Sequence, residues 1–240
     1  VDDIREQLIG DIQIKPYHSR YKIYIIDEAE KLTVQAQNTL LKTIEEPPEY
    51  GIIILLTTNA DIFLQTVLSR CVRIDFKPIS DALVEQFIKE HYSISNYEMQ
   101  FAAAFAQGNI GRAITAIDSP DFGKLKDSVL KVVKYAKEMS TTQILAEVKN
   151  IMNNKNNIDD YLDLIAMWYR DVLLFKSTNN ANMVIFKEEL LLIKAHSSEY
   201  SYLALEDILN AIDKVKIRLK ANVKFDLTIE LMIMTIKDAM

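Results

Sequence analysis

Two nearly unbroken apolar runs, Tyr21–Ile26 and Ile52–Thr57, constrain the fold more than anything else in the chain. Runs without polar alternation fit parallel strands covered on both faces. Between them, Val34 to Glu46 carries Ala36, Leu40 and Ile44 on one helical stripe, with Thr33 placed to cap the start and Pro47-Pro48 to stop the end. That is a strand–helix–strand unit. A second helical segment, Asp61–Leu68, leads to a third predicted strand at Val72–Phe76, and this alternation makes the first third of the chain α/β.

After Pro78 no strand candidate follows, and amphipathic helical patterns continue to the end. Phe101, Phe105 and Ile110 close one pattern around Gly108 and Gly111. A break at Ser119-Pro120 precedes a longer helical region in which Val129, Val132, Val133 and Ala136 keep helical spacing. The expected domains are therefore 1–77, 78–119 and 120–240. The Asn153–Asn157 and Asn179–Asn182 stretches read as polar connections between helices. Val1, Ile4 and Leu8 fall at i, i+3 and i+7, and a helix starting at the first residue suggests a segment upstream of it.

Lys and Arg number 28 against 34 Asp and Glu, a balance of −6, so no global cationic field exists to bind nucleic acid unaided. Lys214, Lys216, Arg218, Lys220 and Lys224 cluster near the end, either as a solvated helix face or as a surface for DNA phosphates. One cysteine, Cys71, excludes an internal disulfide or a cysteine-based zinc module in this stretch, and His18, His91 and His196 show no ligand spacing. No metal site is expected. The longest apolar run, Ile52 to Leu56, is far short of a membrane span, and no basic-then-apolar leader opens the sequence. A soluble, cytoplasmic chain is the expectation.

Four places have residues suited to chemistry. Asp27-Glu28 follows the first strand, at the sheet edge where open α/β proteins bind ligands. An aspartate there can hold Mg²⁺, and the adjacent glutamate can polarise water towards a γ-phosphate; an acidic pair at a strand end is more often a solvated turn. Thr57-Thr58-Asn59 ends the second strand at the same edge, either to touch that phosphate or simply to turn the chain. In Ser69-Arg70-Cys71 an arginine projecting outward is either a surface residue or a finger for a neighbour's nucleotide, where a planar guanidinium suits phosphate oxygens. Gly108-Asn109-Ile110-Gly111-Arg112 joins two helical segments and places Arg112 near a helix N-terminus, either as a junction residue or facing a nucleotide.

In order, these segments resemble the clamp-loader branch of the AAA+ ATPases. Lys22-Ile23-Tyr24-Ile25-Ile26-Asp27-Glu28-Ala29-Glu30-Lys31-Leu32 is similar to its Walker B strand. Gln37-Asn38-Thr39-Leu40-Leu41-Lys42-Thr43-Ile44-Glu45-Glu46-Pro47-Pro48 resembles the family's Asn-Ala-Leu-Leu-Lys-Thr-Leu-Glu-Glu-Pro-Pro segment, the most specific signature present. Thr58 and Asn59 fall at sensor 1, Ser69-Arg70-Cys71 matches the Ser-Arg-Cys motif, and Gly111-Arg112-Ala113 occupies the place of sensor 2. The resemblance covers roughly residues 1 to 117. It implies part of a P-loop NTPase-like AAA+ α/β domain with a parallel sheet, then a small helical lid domain and an all-α collar.

No Gly-x-x-x-x-Gly-Lys-Ser/Thr loop occurs in these residues, so no backbone cradle for nucleotide phosphates is expected from them. Asp27 and Glu28 are accordingly expected to be vestigial. The family's sheet order, 5-1-4-3-2, would leave the strands at Ile52–Thr57 and Val72–Phe76 without the one between them. They would then re-pair, leave a gap, or recruit a strand from elsewhere. The resemblance further implies a non-hydrolysing ring member more than an ATP-hydrolysing one: Leu56-Thr57-Thr58-Asn59-Ala60 departs from the hydrolysing type's Ala-Thr-Thr-Glu-Pro. The implied partners are gamma/tau- and delta-type subunits in a five-membered ring, with sliding clamp and primer-template DNA reached through the complex and no membrane. ATP and Mg²⁺ would sit on the neighbouring subunit. Arg70 would be the arginine finger acting on them in trans.

Overall fold

Strands β1 (Lys22–Ile26) and β2 (Gly51–Leu55) pair in parallel, in a register running from Lys22↔Gly51 to Ile26↔Leu55. They belong to a computed structural model that describes residues 4–153 and 155–239. The chain forms two units, one ending at Phe76 and the other beginning at Lys77. Val1 of the opening pattern and Asn154 of the first Asn-rich stretch lie outside the described residues.

The crossover between the strands is α1 (Val34–Glu45), and its start is as the sequence predicts: the Thr33 side chain accepts the Ala36 N–H. Ala36 and Leu40 are buried, and Ile44 and Leu41 pack with Ala29, Phe63 and Val67 in a small core beside the sheet. The predicted helix over Asp61–Leu68 is instead a 3₁₀ turn at Ala60–Ile62 and a single turn, α2 (Gln65–Leu68). The buried Gln37 amide explains the break. Its Oε1 accepts the Leu64 N–H at 2.8 Å and its Nε2 donates to Leu32 O at 3.2 Å, so the backbone between the turns is hydrogen-bonded sideways.

Two further expectations are corrected. Only one face of the sheet is covered within its unit: Ile23, Ile25, Ile52 and Ile54 are all exposed on the other, because no other described element of this unit packs there. The third strand is also absent. Val72–Phe76 makes no backbone–backbone hydrogen bond among the described residues, and its apolar side chains stand in solvent (Val72 90%, Ile74 74%, Phe76 93% exposed). A β-pattern without a neighbouring ladder stays an extended segment.

Among the described residues of the second unit the regular elements are helices, with no strand. Helices α3 (Asp81–His91), α4 (Asn96–Ala106) and α5 (Ile110–Asp118) enclose a small core of Val84, Ile88, Ala102, Ala103, Ala106 and Ala113. Gly108 at φ +80 turns the chain between α4 and α5, and its carbonyl accepts the Ile79 N–H at 3.1 Å. Ser119 ends α5 and starts α6 (Pro120–Tyr135), with Pro120 at the first helical position, where its missing N–H costs nothing.

Then follow α7 (Thr141–Asn153), α8 (Ile158–Thr178), α9 (Leu190–Glu199), α10 (Tyr202–Lys220) and α11 (Phe225–Asp238). Their shared core centres on α8, whose Tyr161, Leu162, Leu164, Ile165, Trp168, Tyr169 and Val172 are buried. Phe101 and Phe105 of α4 enter this larger core while the alanines of α4 face the smaller one. One helix thus serves both.

Candidate functional site

The carboxyl ends of β1 and β2 bring Asp27, Glu28, Thr58 and Asn59 to one edge of the sheet. The ladder continues one step beyond β2, where Leu56 N donates to Ile26 O at 2.9 Å and Ala29 N to Leu56 O at 2.8 Å, so both strand exits are fixed together. Glu28 sits in left-handed backbone (φ 48, ψ 43), and Asp27 Oδ1 accepts the Glu28 N–H at 2.8 Å. The Glu28 carboxylate pairs with Lys31 at 2.6 Å. Asn59 Oδ1 accepts the Asp61 N–H at 3.1 Å and so starts the 3₁₀ turn.

The residue that joins the two strand exits is Glu30, which the sequence reading did not single out. Thr58 Oγ1 donates to Glu30 Oε1 at 2.9 Å. A backbone N–H of its own residue, then the hydroxyls of Thr58 and Thr57, hold this carboxyl below its usual range. The available signal was a third acidic residue on the turn that follows an acidic pair. Among the described residues, no group of three or more His, Cys, Asp or Glu is arranged to hold a metal ion.

Arg70 does not project freely into solvent. It follows α2, and its Nη2 meets Glu45 Oε1 at 2.6 Å while Nη1 donates to Thr66 O at 2.9 Å and Ser69 Oγ at 3.2 Å. The Ser-Arg element is thereby tied to the end of α1, within the Glu-Glu-Pro-Pro segment. Cys71 is exposed beside it.

Arg112 belongs to the second unit, in the first turn of α5, where Asn59-like capping recurs: Asn109 Oδ1 accepts the Arg112 N–H at 3.2 Å. Its guanidinium is engaged by Asp160 at 2.8 Å and Asp163 at 2.7 Å and lies over the Phe105 ring, 4.4 Å from the centroid. Lys216 meets Asp163 from α10 at 2.6 Å. This four-charge cluster ties α5, α8 and α10 together, and it accounts for the position of one member of the basic run near the chain end.

Comparisons with known proteins agree with this picture at the level of family resemblance. Residues 1–80 match the family model described as DNA polymerase III, delta subunit. The chain is 30% identical over 208 residues to DNA polymerase III subunit tau of Bacillus subtilis, covering 78% of this chain and 37% of that protein. To subunit delta' of the same organism it is 26% identical over 228 residues, covering 92% of this chain and 67% of that protein. The chain thus spans little more than a third of the one relative and two thirds of the other. Among solved structures, a DNA polymerase III gamma subunit-related protein from Thermotoga maritima superposes with a TM-score of 0.53 at 19% identity, over 99% of this chain and 79% of that one. That likeness is one of fold. The chain is therefore similar to DNA polymerase III subunits of the tau, gamma and delta' kinds, and no helix among the described residues is long and apolar enough to cross a membrane.

Proposed function

We propose that the chain works as a delta'-like subunit of a DNA polymerase III clamp loader, a ring member that hydrolyses no ATP itself and supplies Arg70 to ATP and Mg²⁺ held by a gamma/tau-type neighbour. In this reading residues 1–77 belong to an AAA+ domain, 78–119 to its lid and 120–240 to a collar, and a delta-type subunit completes the five-membered ring that loads the sliding clamp on primer-template DNA. The observation that carries the action in trans is Arg70 in its Ser-Arg-Cys setting: a guanidinium based on a short helix turn, partly open to solvent, and already paired with an oxyanion of the kind a phosphate would replace. Asp27 and Glu28 are then vestigial, Thr58 and Asn59 serve the turns they occupy, and Arg112 holds helices together.

A second reading, an ATP-hydrolysing gamma/tau-type subunit, is favoured by the higher identity to tau than to delta', 30% against 26%. One experiment separates the two. ATP hydrolysis is measured in a reconstituted loader containing the full-length protein as wild type, Glu28→Gln, Arg70→Ala or Arg70→Lys. The delta'-like reading expects Glu28→Gln to leave the rate unchanged and Arg70→Ala to slow the neighbour's site by about 10³-fold or more. Lysine keeps the charge without the planar fork and should rescue poorly. A collapse of hydrolysis in Glu28→Gln would establish the gamma/tau reading, and an unchanged rate in Arg70→Ala would remove the finger from both.

A further inference from the structure

We propose that Glu45 restrains Arg70: its carboxylate holds the guanidinium against the end of α1 and must release it before Arg70 can engage a neighbour's phosphate. This rests on the reading of Arg70 as acting in trans. Of the contacts Arg70 makes, those to Thr66 O and Ser69 Oγ lie within its own turn and can travel with it. The 2.6 Å pair with Glu45 is the contact that anchors it to another element.

The placement of Glu45 itself supports such a role. It is the last residue of α1, where the negative end of the helix dipole disfavours a carboxylate, and a second glutamate, Glu46, follows as the C-cap. Helix chemistry gives no reason for acids there, whereas an opposing cation does. The pair is also open: the side chains are 36% and 45% exposed, so water and an incoming phosphate can compete for the guanidinium without first opening a buried site. A single carboxylate oxygen bound to one Nη is a contact that a phosphate, presenting several oxygens to the same fork, can displace.

The test uses the assembled loader containing the full-length protein, with ATP hydrolysis measured without clamp or DNA for wild type, Glu45→Gln, Arg70→Ala and the double variant. Glu45→Gln is expected to raise the rate by about 1.5- to 5-fold at low salt, the span corresponding to an exposed pair of ~0.2–1 kcal/mol. That gain should shrink towards unity as added salt screens the wild-type pair, and it should vanish in the Arg70→Ala background. A purely structural role for Glu45 would produce neither the salt dependence nor the dependence on Arg70. If Glu45→Gln matches wild type at low salt while Arg70→Ala slows hydrolysis, the restraint is refuted and the finger stands. If Glu45→Gln slows hydrolysis, Glu45 aims the arginine for work and does not hold it back, which also overturns the proposal. An effect of Glu45→Gln that persists without Arg70 refutes it as well. If Arg70→Ala leaves the rate unchanged, it is the functional reading beneath the proposal that fails.

Discussion

Replacing Asp171 by asparagine should stabilise the helical unit at alkaline pH. Asp171 lies on α8, 1% exposed, and its Oδ2 accepts the N–H groups of Ile185 and Phe186, both at 2.8 Å. Burial pushes its pKa from 3.8 up to about 6, although those two N–H groups pull the other way. A rise of that size is worth about 3 kcal/mol. Because the folded chain holds this proton more tightly than the unfolded chain does, the group's contribution is fully present below the unfolded value of 3.8 and is lost as the pH rises to about 6. Asparagine keeps an oxygen for both N–H groups and removes the buried charge. Asp171→Asn should therefore gain up to about 3 kcal/mol over wild type near pH 8 and little or nothing near pH 4. The assay is urea denaturation followed by fluorescence of Trp168, the single tryptophan, which is fully buried one turn away on α8 and packs edge-on against Phe186 at 5.3 Å. Reading the difference between the two proteins cancels His196, whose pKa burial lowers and which acts on stability in the opposite direction. A variant less stable than wild type near pH 8, or a difference independent of pH, would refute the reasoning.

Two other changes should be felt in the same denaturation assay. Arg112→Ala leaves the mostly buried Asp163 with Lys216 as its cation, takes from Asp160 its pair with the guanidinium and removes the cover over Phe105, so a loss of about 1–3 kcal/mol is expected; a loss no larger than that of an exposed pair would deny the cluster a structural role. Gly108→Ala places a Cβ 2.5 Å from Ile79 O and 2.7 Å from Pro78 Cβ at φ +80, so it should destabilise by more than about 1 kcal/mol, and wild-type stability in this variant would show that the clip to Ile79 is dispensable.

The parts of this fold that were legible in the sequence are those written in local code. The apolar runs became β1 and β2, Thr33 capped α1, and the valine spacing of α6 faced the core. What was hidden depends on partners far along the chain. Val72–Phe76 has the alternation of a strand, yet alternation specifies faces and says nothing of a neighbour to bond with. Gln37 reads as a surface residue of an amphipathic helix until its amide is found bonded to Leu64, 27 residues away. The candidate site divides the same way. Motif residues at the strand exits could be placed by their position after a strand, whereas the Glu45 partner of Arg70 and the Asp160 and Asp163 partners of Arg112 are products of packing. The acids at the end of α1 were the one available hint, since a helix terminus seldom keeps unfavourable charge without a counter-ion nearby.

The extended segment Val72–Phe76 also sets conditions for handling the molecule. Its three bare apolar side chains alternate with Arg73 and Asp75, which pair with each other at 2.8 Å. In colloidal terms those two charges are gatekeepers: they keep one flank of a sticky ribbon wetted and interrupt the apolar run that would otherwise favour stacking of copies. Concentrated salt, which screens the pair, weakens the guard. Association through this ribbon, with the helices still folded, is therefore the expected limit on how far a preparation of these residues can be concentrated.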